Sequence, residues 1–311
     1  MSAAEVGDTI LPVTRVVAVA LVPILVVAAV LLFALPERSG ELFAWQIDPP
    51  LSAAVLASAY VGGVWFFARV PRGGWHEVRH GFPAVAVFAG AVLIATLLHL
   101  DRFSSNLSFA AWMALYATTP FVVAALVVLQ RRRERGIPAP VDERGPGIPA
   151  PADARERGIP APADARERGP GIPPPAELTL PRPVRFGLIA IGLAATATGA
   201  GLFLAPGAAA TVWAWDLTPL TAQVTGAVLT LPGVVALALL RDDRWSAFRV
   251  PVQAQLISLA AMTVSLLVHR DDLDPERWAT PLFVGLVGVA IVAYAALLIW
   301  AASRARARAA R

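Results

Sequence analysis

The sequence predicts an all-α integral membrane protein: eight transmembrane helices as two parallel four-helix repeats, with a disordered Pro/Arg-rich linker between them. Three observations predict it. Hydrophobic residues make up 57% of the 311 and charged residues 15%, whereas a soluble globular domain carries about 25% charged residues. The apolar residues fall in long blocks separated by short gaps, and about 20 apolar residues span a bilayer core as a helix. Finally, the chain matches itself at an offset of 170 residues.

The first span covers about Arg15 to Leu35. It exceeds the roughly 7–15-residue core of a signal sequence, and "FALPERSG" after it offers no small-x-small cleavage site, so it is expected to be a retained helix. The next three spans are Pro50–Ala68, Phe82–Leu98 and Phe109–Leu129, closing a first four-helix unit over residues 1–130. Residues 131–182 are different material. A "GIPAP" unit starts at Gly136, Gly147 and Gly158, with "GIPPP" at Gly171. Proline, glycine and mixed charge cannot bury a core, which predicts a disordered linker with local polyproline II character. The spacer reading is favoured; the alternative is a docking strip for a proline-binding cytoplasmic protein. The second unit, residues 183–303, holds spans at Val184–Leu204, Leu220–Leu240, Val250–Val268 and Trp278–Ala302, followed by a basic tail over 304–311. Pro23 and Pro232 predict kinks, which neighbouring helices can accommodate.

Self-similarity sets the architecture. At the 170-residue offset Arg15 falls on Arg185, Phe33 on Phe203, Trp45 on Trp215, Gly63 on Gly233, Trp75 on Trp245, Arg79 on Arg249, His99 on His269 and Asp101 on Asp271. Past Asp101 a gap of four residues would bring Trp112 onto Trp278. Each unit has an even number of spans, so both lie the same way up, related by an axis along the membrane normal.

Arginine placement predicts orientation, because basic short loops stay cytoplasmic. Arginine supplies all 26 basic residues. One side carries Arg15, the Arg69–Arg79 loop, the linker, the Arg241–Arg249 loop and the tail "SRARARAAR"; the other carries only Arg38, Arg102, Arg270 and Arg277. Both termini and the linker are therefore expected in the cytoplasm. With the alanine and proline richness, the lack of lysine reads as a GC-rich bacterial coding bias, so the expected location is a bacterial inner membrane. A net charge of +4 without an aromatic-studded basic domain argues against nucleic-acid binding.

Three motifs recur in both units. The first, "AW-x-[IL]-x-P", contains Trp45 and Trp215; tryptophan favours the headgroup region, and Asp48 and Thr218 are placed to cap the helices that follow. The second, "W-x-x-x-R", contains Trp75 with Arg79 and Trp245 with Arg249; at i and i+4 the ring can stack on the guanidinium. These six residues are read as interfacial anchors. The third, "H-x-D", places His99, Asp101, His269 and Asp271 at the outer ends of the third and seventh spans. It forms a candidate outer-face polar site, for protons or for a metal if the copies meet. The plainer reading is a polar cluster ending each helix. Gln253 and Gln255 are expected to bond across helices.

The pattern resembles a class of uncharacterised bacterial multi-pass proteins with a "W-x-L-T-P-L-T-A" segment. Here the second copy reads "WAWDLTPLTA", and the first, "FAWQIDPPLSA", departs from it. The resemblance spans each four-helix unit, excludes the linker, and implies a fold without an activity.

Absences narrow the function classes. The chain has no cysteine, hence no disulfide or thiolate chemistry. The span centres carry no charged residue, where a proton pump or ion-coupled transporter normally has one. No phosphate loop, zinc-protease helix or nucleophile elbow is present. The leading expectation is a non-enzymatic scaffold that binds membrane lipids or a partner protein, with no cofactor predicted. The alternatives are a transporter or channel for a small neutral or lipophilic solute, and a metal or haem site at the paired histidines.

Overall fold

The computed structural model describes residues 8–136 and 177–309. Among these, eight helices are long and apolar enough to cross a membrane. They are α1 (Pro12–Ala34), α2 (Pro50–Arg69), α3 (Gly81–Leu98), α4 (Leu107–Gly136), α5 (Arg182–Leu204), α6 (Pro219–Ala238), α7 (Trp245–Val268) and α8 (Ala279–Ala309). The protein is helical and membrane-embedded in character, and each expected span has its helix. α1 and α6 continue through Pro23 and Pro232.

Most of the proline-rich segment lies outside the described residues, but its margins are more ordered than expected. Residues 131–136 continue α4, because "QRRRER" contains no helix breaker before Gly136. On the far margin Leu180 is buried and its N–H donates to the Asp243 carbonyl at 2.8 Å.

Two helices form the centre. α2 and α6 each bury 67% of their most apolar stretch, against 28% for α1 and α5. Composition explains this. α2 presents Ser52, Ala53, Ala57, Ser58 and Gly62 on several faces, and small residues let several helices approach at once. α1 packs on α2 and α5 on α6, while α2 also packs against α7 and α6 against α3; α4 then lies on α3 and α8 on α7. The core thus runs across the two halves of the chain. The tightest crossing joins α5 to α6. A Cβ on Gly199 would stand 2.5 Å from the Gly226 carbonyl oxygen, and one on Gly226 would stand 2.5 Å from that of Gly199. Only glycine permits such an approach.

Many contacts recur one offset apart. The Trp75 N–H donates to the Asp8 carbonyl at 2.8 Å, and the Trp245 N–H to the Leu178 carbonyl at 2.8 Å. At the other end of the bundle Ser104 N–H donates to Ala44 O and Asp274 N–H to Ala214 O, both at 2.9 Å. The last helices follow a different register from the one expected. Trp112 is 5% exposed and packs edge-on against Phe43 and Trp45. Trp278 is 64% exposed, and Phe283 is the ring that meets Trp213 and Trp215. The buried positions Trp112, Tyr116, Val123, Leu126 and Gln130 correspond to Phe283, Val287, Tyr294, Leu297 and Ala301 at a spacing of 171. The tryptophan identity was misleading because burial, not ring type, fixes helix register.

Candidate functional site

At the end opposite the linker, α3 and α7 each stop at a histidine and enter a single 3-10 turn. That turn swings the following aspartates outward. Asp101 and Asp271 are 73% and 95% exposed, each beside its neighbouring arginine. The structure therefore does not gather the expected four-residue site. Among the described residues no three His, Asp or Glu side chains are grouped to hold a metal. His99 instead reaches the other half of the chain, its Nε2 3.1 Å from Gln223 Oε1. The position matching Gln223 in the first half is Ala53, so the same contact is not open to His269. Asp272, one residue beyond the motif, caps α2 from across the bundle: the Leu51 N–H donates to its Oδ2 at 2.9 Å. Thr218 caps α6 in a reciprocal box with Thr221, but Asp48 caps nothing. Its Oδ1 accepts from Gln46, and Pro49 is the residue that precedes α2.

The four tryptophans expected at the headgroups are buried in protein: Trp45, Trp75, Trp215 and Trp245. The Trp215 indole N–H donates to the Ser52 hydroxyl at 2.8 Å, whereas that of Trp45 has no partner among the described residues; Ala222 stands where Ser52 would correspond. Nor do the motif arginines stack on their tryptophans. The stacked pair is Trp65 with Arg69, 6.0 Å from cation to ring centre, on the exposed face of α2.

Arg79 and Arg249 lock the halves together at the linker end. Arg249 donates to Glu77 Oε1 at 2.6 Å, and Arg79 donates to Asp242. Asp242 also accepts from Arg244 Nε at 3.0 Å and lies 2.9 Å from His80 Nε2. The His80 ring stacks on Phe248 at 4.7 Å. Burial alone would raise the Asp242 pKa, but the bonds from Arg244, His80 and Arg79 outweigh it and hold the carboxyl well below its usual range. Burial lowers His80, only partly offset by Asp242, and the Asp242 bond raises Arg244. Asp8 secures the neighbouring His76, whose Nδ1 lies 2.6 Å from its carboxylate.

Between these polar ends lie two cavities, of about 120 Å³ and about 140 Å³, both lined almost wholly by apolar side chains. They occupy matching places. Leu21, Gly62 and Leu115 line the first; Ile191, Pro232 and Leu286 line the second. Ala59, Leu231, Gln255 and Ser258 line both. The second cavity's rim includes Ala194, Thr198, Leu286 and Val289, exposed on the bundle's outer surface. α5 and α8, which flank that rim, touch only sparsely. Tyr116 in the first wall bonds to Tyr60, hydroxyl to hydroxyl, at 3.0 Å.

Sequence reasoning missed Asp242, His80 and the cavities. "RDDRW" reads as an ordinary charged loop, and no local pattern marks one of its aspartates as buried. One signal was available. At the 170-residue offset Val85 and Phe88 become Gln255 and Ser258, two apolar residues exchanged for polar ones on one face. No family model, curated protein or solved structure matches the chain.

Proposed function

We propose that the protein is a non-enzymatic membrane scaffold, duplicated from one four-helix unit, that holds the hydrocarbon chains of membrane lipids in two equivalent cavities. One observation carries this reading: two apolar cavities sit at matching positions, with walls related by offsets of 170 and 171 residues. A dry apolar cavity of about 150 Å³ is large enough for a benzene-sized group, and an opening on the outer surface of a membrane bundle faces acyl chains. Reciprocal packing of α2 on α7 and α6 on α3 supports two parallel units about an axis along the membrane normal. The bacterial multi-pass class with W-x-L-T-P segments is the family in which we place the chain.

The linker end is the cytoplasmic end on the arginine argument. The GIPAP repeats lie mostly outside the described residues, and their proline content suits a proline-binding cytoplasmic partner. Reporter fusions at the linker check the orientation: activity of a periplasm-dependent reporter there would reverse it.

The cavity reading is tested with a phospholipid whose acyl chain carries a photoreactive diazirine. After illumination in vesicles, mass spectrometry should place label on Leu115 in the first cavity and the buried Val287 in the second. Label confined to exposed positions such as Val16 and Val292 would contradict it. A second reading, passage of a small lipophilic solute from one cavity to the other, is favoured by the wall that both share. It requires solute flux in proteoliposomes.

A further inference from the structure

The shared wall contains two polar side chains that the scaffold does not use. Gln255 and Ser258 are three residues apart on α7, hence on one face, and line both cavities. Neither side chain makes a hydrogen bond among the described residues. The expected bond from Gln255 to another helix is absent. Ser258 rests against Gly62, where an added Cβ would collide with its hydroxyl at 1.9 Å. The first unit has Val85 and Phe88 at the matching positions, so packing there does not require polarity. In hydrocarbon an unpaired amide has no water to fall back on and is costly to keep.

Depth restricts what can pair with it. Gln255 lies six residues beyond Arg249, whose guanidinium meets Glu77 at the polar end of the bundle, or about 9 Å along the helix. That is about a third of a ~30 Å hydrocarbon core. The ester carbonyls of a phospholipid sit at the headgroup boundary, so its chain brings only methylenes to this level. A ligand that satisfies Gln255 must carry a polar atom this far inside the boundary.

We infer that the cavity pair binds a lipophilic molecule carrying a carbonyl group flanked by hydrocarbon, a ketone or quinone-like compound dissolved in the bilayer. The Gln255 amide N–H and the Ser258 hydroxyl donate to its oxygen, which has two lone pairs to receive them. The hydrocarbon on either side fills the two cavities. This ligand class narrows, and so rests on, the chain-binding reading above.

The test uses the full chain in lipid nanodiscs and two sixteen-carbon diazirine probes, one a plain hydrocarbon and one with a mid-chain ketone. Labelling of the Gln255–Met262 segment is quantified by mass spectrometry. The ketone probe should label it about tenfold more than the hydrocarbon, the scale of one buried hydrogen bond. The double variant Gln255→Leu, Ser258→Ala should label equally with both, its undiminished hydrocarbon labelling showing an intact cavity. Gln253→Leu, outside both cavity walls, should keep the preference. Equal labelling of the native protein by both probes would overturn the ketone-class ligand and leave chain binding standing. Absence of cavity label from either probe would overturn both.

Discussion

Asp242 is where single side chains matter most for joining the halves. It is 9% exposed and holds Arg79, His80 and Arg244. Asp242→Ala leaves the Arg79 and Arg244 guanidiniums facing each other without their carboxylate, which should cost about 3 kcal/mol or more, read as a lower midpoint of thermal unfolding in detergent. His80 sets a pH dependence of definite sign. Its pKa in the fold lies below the ordinary 6.5, so the unfolded chain binds more protons below that pH. Stability should fall as pH drops through about 6.5 and level off beneath the lowered folded value. His80→Gln should flatten that slope, measured as unfolding midpoint against pH. Asp242 acts elsewhere: its lowered pKa gives stability that is present above about 4 and lost only in stronger acid. At this scale the sequence was least legible. His99 was visible through its duplicate, but its partner Gln223 lies 124 positions away. The buried role of one aspartate in "RDDRW" depends on arginines and a histidine from two segments.

Helices were the most legible objects, because length and apolarity alone define a membrane span. Their ends and registers were less so. α4 outruns its expected end because arginines are good helix formers once outside the bilayer. The Trp112–Trp278 pairing failed because the fourth helix of each unit takes its register from the ring cluster it must cover. Glycine contacts give this scale its test. Gly199→Leu forces a side chain into the Gly226 backbone and should destabilise by about 1–3 kcal/mol. Gly201→Leu, two residues on, meets nothing within 4 Å and should leave the unfolding midpoint unchanged. Asp272→Ala removes the cap on α2 and should cost about 1 kcal/mol.

For the whole molecule, the proposed duplication would account for more than helix count. Loop contacts and cavities recur at matching positions, and α2 packs on α7 as α6 packs on α3. What the offset alone did not carry is asymmetry. Ala53 against Gln223 and Ala222 against Ser52 are places where one copy keeps a polar contact that the other lacks, and Val85 against Gln255 is one where a polar side chain stands without such a contact. An interlocked pair also behaves differently from two tethered domains. Residues 1–136 and 177–311, expressed as separate chains, should co-purify as one complex, whereas either alone should be unstable.

The most direct measurement of that interlock uses the absence of native cysteine. Ser58 on α2 and Ser265 on α7 lie with their hydroxyl oxygens 3.4 Å apart. In Ser58→Cys, Ser265→Cys protein, a lipid-soluble oxidant should join the halves, so that they migrate as one band after proteolysis within the linker. Two separate bands after full oxidation, from protein that remains folded, would contradict a core shared between the two units.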